Sequence, residues 1–145
     1  TRVRSSAASD VYKRQTFKSM AFGDKSQRPS VDRAVLCNHD PHWTQKRPTA
    51  GVTKVVASKV RAIHLEQRDQ NNKPLGNVVV DVEYKPIHGD AKEPDNLAHS
   101  EIFTIPFCSK SAFRRLCESL AYLANETGWL IAPTPPDAGS VDHQP

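Results

Sequence analysis

The sequence contains no run of eighteen apolar residues and no apolar core of the signal-peptide kind, so nothing in it reads as a membrane-spanning helix. Its three cysteines are an odd number without framework spacing, which excludes a disulfide scaffold and suits a reducing compartment. A cytoplasmic protein of a bacterium or phage is the expectation. Also missing are a Gly-rich phosphate loop, a dinucleotide fingerprint and a nucleophile elbow, so neither an enzyme nor a cofactor is expected.

Net charge is missing too, once its source is traced. The chain has 145 residues and a formal charge of +4, but residues 1–19 hold five basic residues and one acidic. From Met20 onward 15 basic residues face 15 acidic ones. A general positive field cannot then attract a polyanion, and any such binding must come from a local cluster. The charge is unevenly spread: Met20–Leu75 has ten basic and five acidic residues, and Gly76–Ser109 has two against six. Thr1–Gln15, which includes SSAASDVYKRQ, matches the in-frame translation of a transposon-based sequencing adapter. It is therefore expected to lie outside the natural gene, to pair with nothing and to bury nothing, with Met20 as the start.

What is present organises around Ser111–Gly128. Phe113, Leu116, Cys117, Leu120, Leu123 and Ala124 recur at helical spacing and define an amphipathic helix, with Ser111 as N-cap and Gly128 as the C′ residue. Three strands are expected before it. Val55–Glu66 alternates imperfectly, placing Lys59 and Arg61 on one side and His64 on the other. Gln67–Gly76 is a hairpin loop, and Asn77–Tyr84 follows with Val78, Val80, Val82 and Tyr84 on one face and Asp81 and Glu83 on the other. After a hydrophilic loop, Lys85–His99, the strand Glu101–Phe107 sets Phe103, Ile105 and Phe107 against Ile102 and Thr104, with Pro106 confined to an edge or an end. A further strand is possible at Val52–Val56. The fold class is α+β, a small curved antiparallel sheet with one amphipathic C-terminal helix packed on it. Residues 16–50 read as a polar arm, 51–131 as the domain and 132–145 as a disordered Pro-rich tail. The apolar helix face exceeds what short strands can cover, so a homodimer is expected.

Three constellations bear on function. Lys110, Arg114 and Arg115 gather at the start of the helix, against its dipole, and read either as a solvated basic turn or as a phosphate contact. Lys59 and Arg61, with Tyr84, Phe103 and Trp43 as candidate aromatics, read either as a strand edge kept soluble by charge or as a single-strand grip by phosphate pairing and base stacking. Cys37, His39 and His42, with Cys108 or Cys117, lack standard zinc spacing, and no metal is expected. Asp81 and Glu83 read as exposed acids.

The residues Lys59-Val-Arg61, Val78–Tyr84, the loop His88–Pro94, Ile102–Phe107 and the helix from Phe113 resemble the transcriptional-coactivator family of single-stranded-DNA-binding proteins, of the positive cofactor four type. The resemblance implies a curved sheet, a helix that mediates dimerisation and a basic sheet surface that holds single strands. By this likeness Lys59 and Arg61 match the basic first strand, Tyr84 the aromatic after the acidic strand and Phe113 the early helix aromatic. Lys85 replaces that family's tryptophan, the loop is longer, and the Cys/His segment has no counterpart. Phage-encoded OB-fold single-strand binders share the layout. Both imply single-stranded DNA or RNA as partner; taken with the basic helix start and the sheet aromatics, the residues expected to hold it are Lys59, Arg61, Tyr84, Phe103, Lys110, Arg114 and Arg115. The rival reading is a protein–protein module or minor phage structural protein.

Overall fold

Val78 and Val80 on one long strand and Ile102 on its neighbour point the same way and are buried, which fixes the inner face of the sheet. The computed structural model describes residues 2–5 and 18–134. In chain order its strands are β1 (Arg2–Ser5), β2 (Ser30–Asp32), β3 (Gly51–Lys54), β4 (Leu65–Arg68), β5 (Pro74–Tyr84), β6 (His99–Ile105) and β7 (Trp129–Ile131). Two α-helices accompany them, the short α1 (Ala57–Arg61) and the long α2 (Lys110–Thr127). The sheet is curved and antiparallel, in the order β4-β5-β6-β2-β1-β3-β7, and α2 covers its inner face. The α+β expectation holds.

The helix begins two residues earlier than its apolar stripe suggests. Ser109, not Ser111, is the N-cap, and its hydroxyl accepts the Ala112 N–H at 3.2 Å. Gly128 closes the helix at φ 82°, where a side chain would be strained. Leu116 and Leu120 are fully buried, and Phe113 and Leu123 are partly buried against the same core. Phe22, in the 3₁₀ turn Ser19–Phe22, packs there as well. The apolar face of α2 is thus covered within the chain, which removes the argument for a twofold contact through it.

Residues 18–50 are not a detached arm. Phe22 and Val31 belong to the main core. The segment after β2 lies on the opposite, outer face, where Cys37, Ala50 and Val52 are buried outside the main cluster. There the buried Asp32 carboxylate accepts from the Thr44 hydroxyl and the Asn96 amide, both at 2.8 Å. A polar sequence can be built in this way when its hydrogen bonds are satisfied internally. At the other end, Pro133 is buried and the Thr134 N–H donates to the Thr49 carbonyl at 3.0 Å, so 132–134 is docked rather than tail. Residues 135–145 lie outside the described residues.

The expected strand Val55–Glu66 is instead the turn of helix α1 followed by β4. Val60 is fully buried and Ile63 packs on the core, an i,i+3 pair suited to a helix, and Ala57, Lys59 and Arg61 are good helix formers. The hairpin turn contracts to residues 69–73, where the Asp69 carboxylate accepts the Asn71 and Lys73 N–H groups. Val52–Val56 contributes β3.

Thr1–Gln15 was expected to pair with nothing, and β1 corrects this. It pairs with β2 on one side and β3 on the other. Those two strands each present an edge to one gap, and a strand between them satisfies both. The remainder of the segment, with Val11 and Tyr12, lies outside the described residues.

Gly51 on β3 marks a close approach. A Cβ there would lie 2.5 Å from Trp129 Cζ3 and 2.9 Å from Pro133 Cδ. Gly51→Ala is expected to destabilise the protein by about 1–3 kcal/mol through forced movement of the indole. An unchanged urea midpoint would show that β7 does not pack on this glycine.

Candidate nucleic-acid interface

The seven residues expected to hold a single strand do not form one surface. Phe103 points to the outer face of the sheet, away from α2, whereas its β6 neighbour Ile102 is buried beneath the helix. The strand grip read from sequence is therefore split across the sheet. On the outer face, Glu83 and Glu101 stand directly opposite each other, and the Arg28 guanidinium binds both. The same guanidinium lies 4.7 Å from the centre of the Phe103 ring. The hydrogen bond that Arg28 donates to Glu101 is the main cause that raises its pKa, with Glu83 adding to it. Phe103 is thus capped by a cation already engaged.

Arg61, on α1 rather than a strand, donates through Nε to Asp81 at 2.7 Å. That hydrogen bond, followed by the one from the Val82 N–H, holds the Asp81 carboxyl below the usual range. A carboxyl with a lowered folded pKa adds stability above its unfolded pKa of about 3.9, and loses it as pH falls through the folded value. Both partners are half exposed, so the contribution is small, under about 1 kcal/mol. Arg61→Met should move the Asp81 titration upward in a carboxyl-detected NMR experiment. No movement would mean the pair is not formed in solution.

Tyr84 ends β5 with its hydroxyl donating to the Leu97 carbonyl at 2.7 Å, and Arg33 sits 5.6 Å from its ring centre. Beside the same loop a hollow of about 510 Å³ is lined by Lys85, Asp90, Glu93 and Glu101 among others. Three carboxylates against one lysine make it a poor place for a phosphate.

The remaining cations lie on the helical side. Lys59 lines a cleft of about 290 Å³ between α1 and α2, with Ala62, Ile63, His64, Ser119, Tyr122 and Leu123. Lys59, Lys110 and Arg114 have no ion-pair partner among the described residues. Arg115, one turn before Ser119, donates to the Glu66 carbonyl at 2.6 Å, which fixes its head without neutralising it. Tyr122 is 67% exposed and follows Arg115 by seven residues, on the same side of α2. Sequence reasoning missed Tyr122. The signal was available, since it is the aromatic on α2 that falls off the apolar stripe.

The Cys/His set is dispersed. Cys37 is buried with its thiol directed at the Arg33 and Ala34 carbonyls, and His42 contacts Gln45. Cys117, on the core-facing side of α2, has its thiol pushed up to about 11, first by burial and then by Cys108 and Glu118. Among the described residues no group of three or more His, Cys, Asp or Glu side chains is placed to share a metal. No helix among the described residues is long and apolar enough to cross a membrane. Comparison with family models, curated proteins and solved structures gave no match to this chain.

Proposed function

We propose that this protein binds single-stranded nucleic acid in the cleft between α1 and α2, in the cytoplasm of a bacterium or phage-infected cell. The observation that carries this reading is an exposed Tyr122 beside Lys59, which has no ion-pair partner among the described residues, in a cleft of about 290 Å³. A base stacks on the tyrosine, while Lys59 and Arg115 meet the flanking phosphates and His64 lines the floor. Lys110 and Arg114 extend the track toward the start of α2. Arg61 and Phe103, already engaged by Asp81 and Arg28, drop out of the contact set, and Tyr84 stands apart from it.

The test is anisotropy of a labelled oligothymidylate across a salt series. Each phosphate neutralised on a single strand contributes about 0.7 to the slope of log affinity against log salt. Lys59→Ala with Arg115→Ala should therefore flatten the slope by about 1.4. Tyr122→Ala should weaken binding by about 1–3 kcal/mol and leave the slope unchanged. Duplex of equal length should bind worse, because its bases offer no free face. A double variant with the parental affinity and slope would refute the cleft.

A second reading, the protein–protein module, is favoured by one patch. Val79 and Ile105 pair directly on the outer face and are 57% and 54% exposed, with Phe107 at 70% beyond them. The homodimer expectation now rests on this patch instead of α2.

A further inference from the structure

Ser30 begins β2 opposite Glu101 on β6, and the next pair on that face sets Asp32 opposite His99. Ser30 and His99 are therefore diagonal neighbours on the outer face, within side-chain reach of each other. Their separation in sequence, 69 residues, leaves no local motif to announce the pair. Ser30 is exposed and His99 is 7% exposed, so a hydroxyl open to solvent backs onto a buried imidazole. Its Oγ lies 3.1 Å from Nε2.

The other side of the ring decides which atom donates. Lys85 follows β5, and its N–H donates to the His99 carbonyl at 3.0 Å. The Lys85 carbonyl in turn lies 2.7 Å from Nδ1. A carbonyl only accepts, so Nδ1 carries the proton. In the neutral ring Nε2 then holds the lone pair, and the Ser30 hydroxyl donates to it. Hydroxyl, base and orienting acceptor stand in the order that activates a serine. Ser30, His99 and Lys85 all line the hollow of about 510 Å³ beside the loop after β5.

We propose that Ser30 and His99 are a nucleophile–base pair that hydrolyses carboxylic esters in this hollow. Oγ bonds to the carbonyl carbon as its proton passes to Nε2. The bond to the leaving alcohol breaks, and that oxygen takes the proton from Nε2. Water then attacks the acyl group on Oγ and gives a proton to Nε2, and Oγ recovers it as the acid leaves. The Lys85 ammonium is the cation on the same wall for the developing oxyanion. Asp90 and Glu93 line the hollow as well, and they favour neutral or cationic esters over anionic ones. This site shares no residue with the α1–α2 cleft and does not depend on nucleic-acid binding.

The test treats the full chain with a neutral fluorophosphonate probe, which loses fluoride to an activated serine hydroxyl, and locates the adduct by mass spectrometry. The adduct is expected on Ser30 and should be absent from Ser30→Ala. His99→Gln should slow its formation by about 10²-fold or more, the usual contribution of a general base. His99 is buried, so if that variant does not fold, Ser30→Cys decides, since it changes an exposed position. The three native cysteines are buried and leave the new thiol as the accessible one. Iodoacetamide should alkylate it about tenfold or more faster than free cysteine at about pH 6, because the imidazole stabilises the thiolate. The parent should also hydrolyse p-nitrophenyl acetate and acetylthiocholine, and the anionic p-nitrophenyl hemisuccinate about tenfold more slowly. A folded parent without an adduct on Ser30 would overturn the pair. So would an unchanged rate in folded His99→Gln, or a Ser30→Cys thiol no faster than free cysteine. Equal turnover of anionic and neutral esters would overturn the selection by charge.

Discussion

Phe22→Ala is expected to destabilise the protein by about 3–5 kcal/mol, enough to leave a domain of this size largely unfolded near physiological temperature. Phe22 is 1% exposed and lies in the main core, where its turn packs against α2. It is the large side chain that closes the helix face left over by the sheet. Truncation opens a cavity between backbone elements that cannot collapse together, since α2 is held at both ends by Ser109 and Gly128. Urea denaturation of parent and variant measures the loss. A change below about 1 kcal/mol would mean that residues 18–50 are an arm after all, and that α2 must find its cover in a second subunit.

The second large effect is expected at Asp32. Its carboxylate is 2% exposed and accepts from Thr44, itself 1% exposed, and from Asn96. Asn96 in turn accepts the Trp43 indole N–H at 3.1 Å. Asp32→Ala strands the buried Thr44 hydroxyl, at about 1–3 kcal/mol, and the half-buried Asn96 amide at less, and loosens the outer layer from β2. Asp32→Asn keeps one acceptor oxygen and should cost less. Equal losses for the two variants in the same denaturation experiment would argue that charge, not hydrogen bonding, matters at this position.

The elements legible in the sequence were those whose pattern matches their burial. Val78, Val80 and Val82 announced β5, and the Leu116–Leu120 stripe announced α2, because in both the inward residues are simply the apolar ones. The misses share one cause. Val60 and Ile63 sit in a stretch where strand and helix periods fit about equally, and only packing on the core decides for α1. Thr44 and Asp32 are buried through polar contacts to each other and, for Asp32, to Asn96 far along the chain, and no local pattern encodes those. The site was legible in its cations but not in its geometry. Lys59 and Arg115 were named, yet the sequence could not show that the sheet separates them from Phe103, or that Asp81 engages Arg61. Tyr122 falls visibly off the apolar stripe of α2, but only the cleft beside it gives that exposure a meaning.

The claim of a nucleic-acid cleft between α1 and α2 is tested most directly by photo-crosslinking. A single-stranded oligonucleotide carrying 5-iodouracil is irradiated with the full chain, and the modified residue is located by mass spectrometry. The account predicts a crosslink at Tyr122 or His64, abolished for the former by Tyr122→Ala and weakened by raised salt. Crosslinks confined to Phe103 or Phe107 would place the strand on the outer sheet and contradict the cleft, and an oligonucleotide that never crosslinks or binds would contradict the function itself.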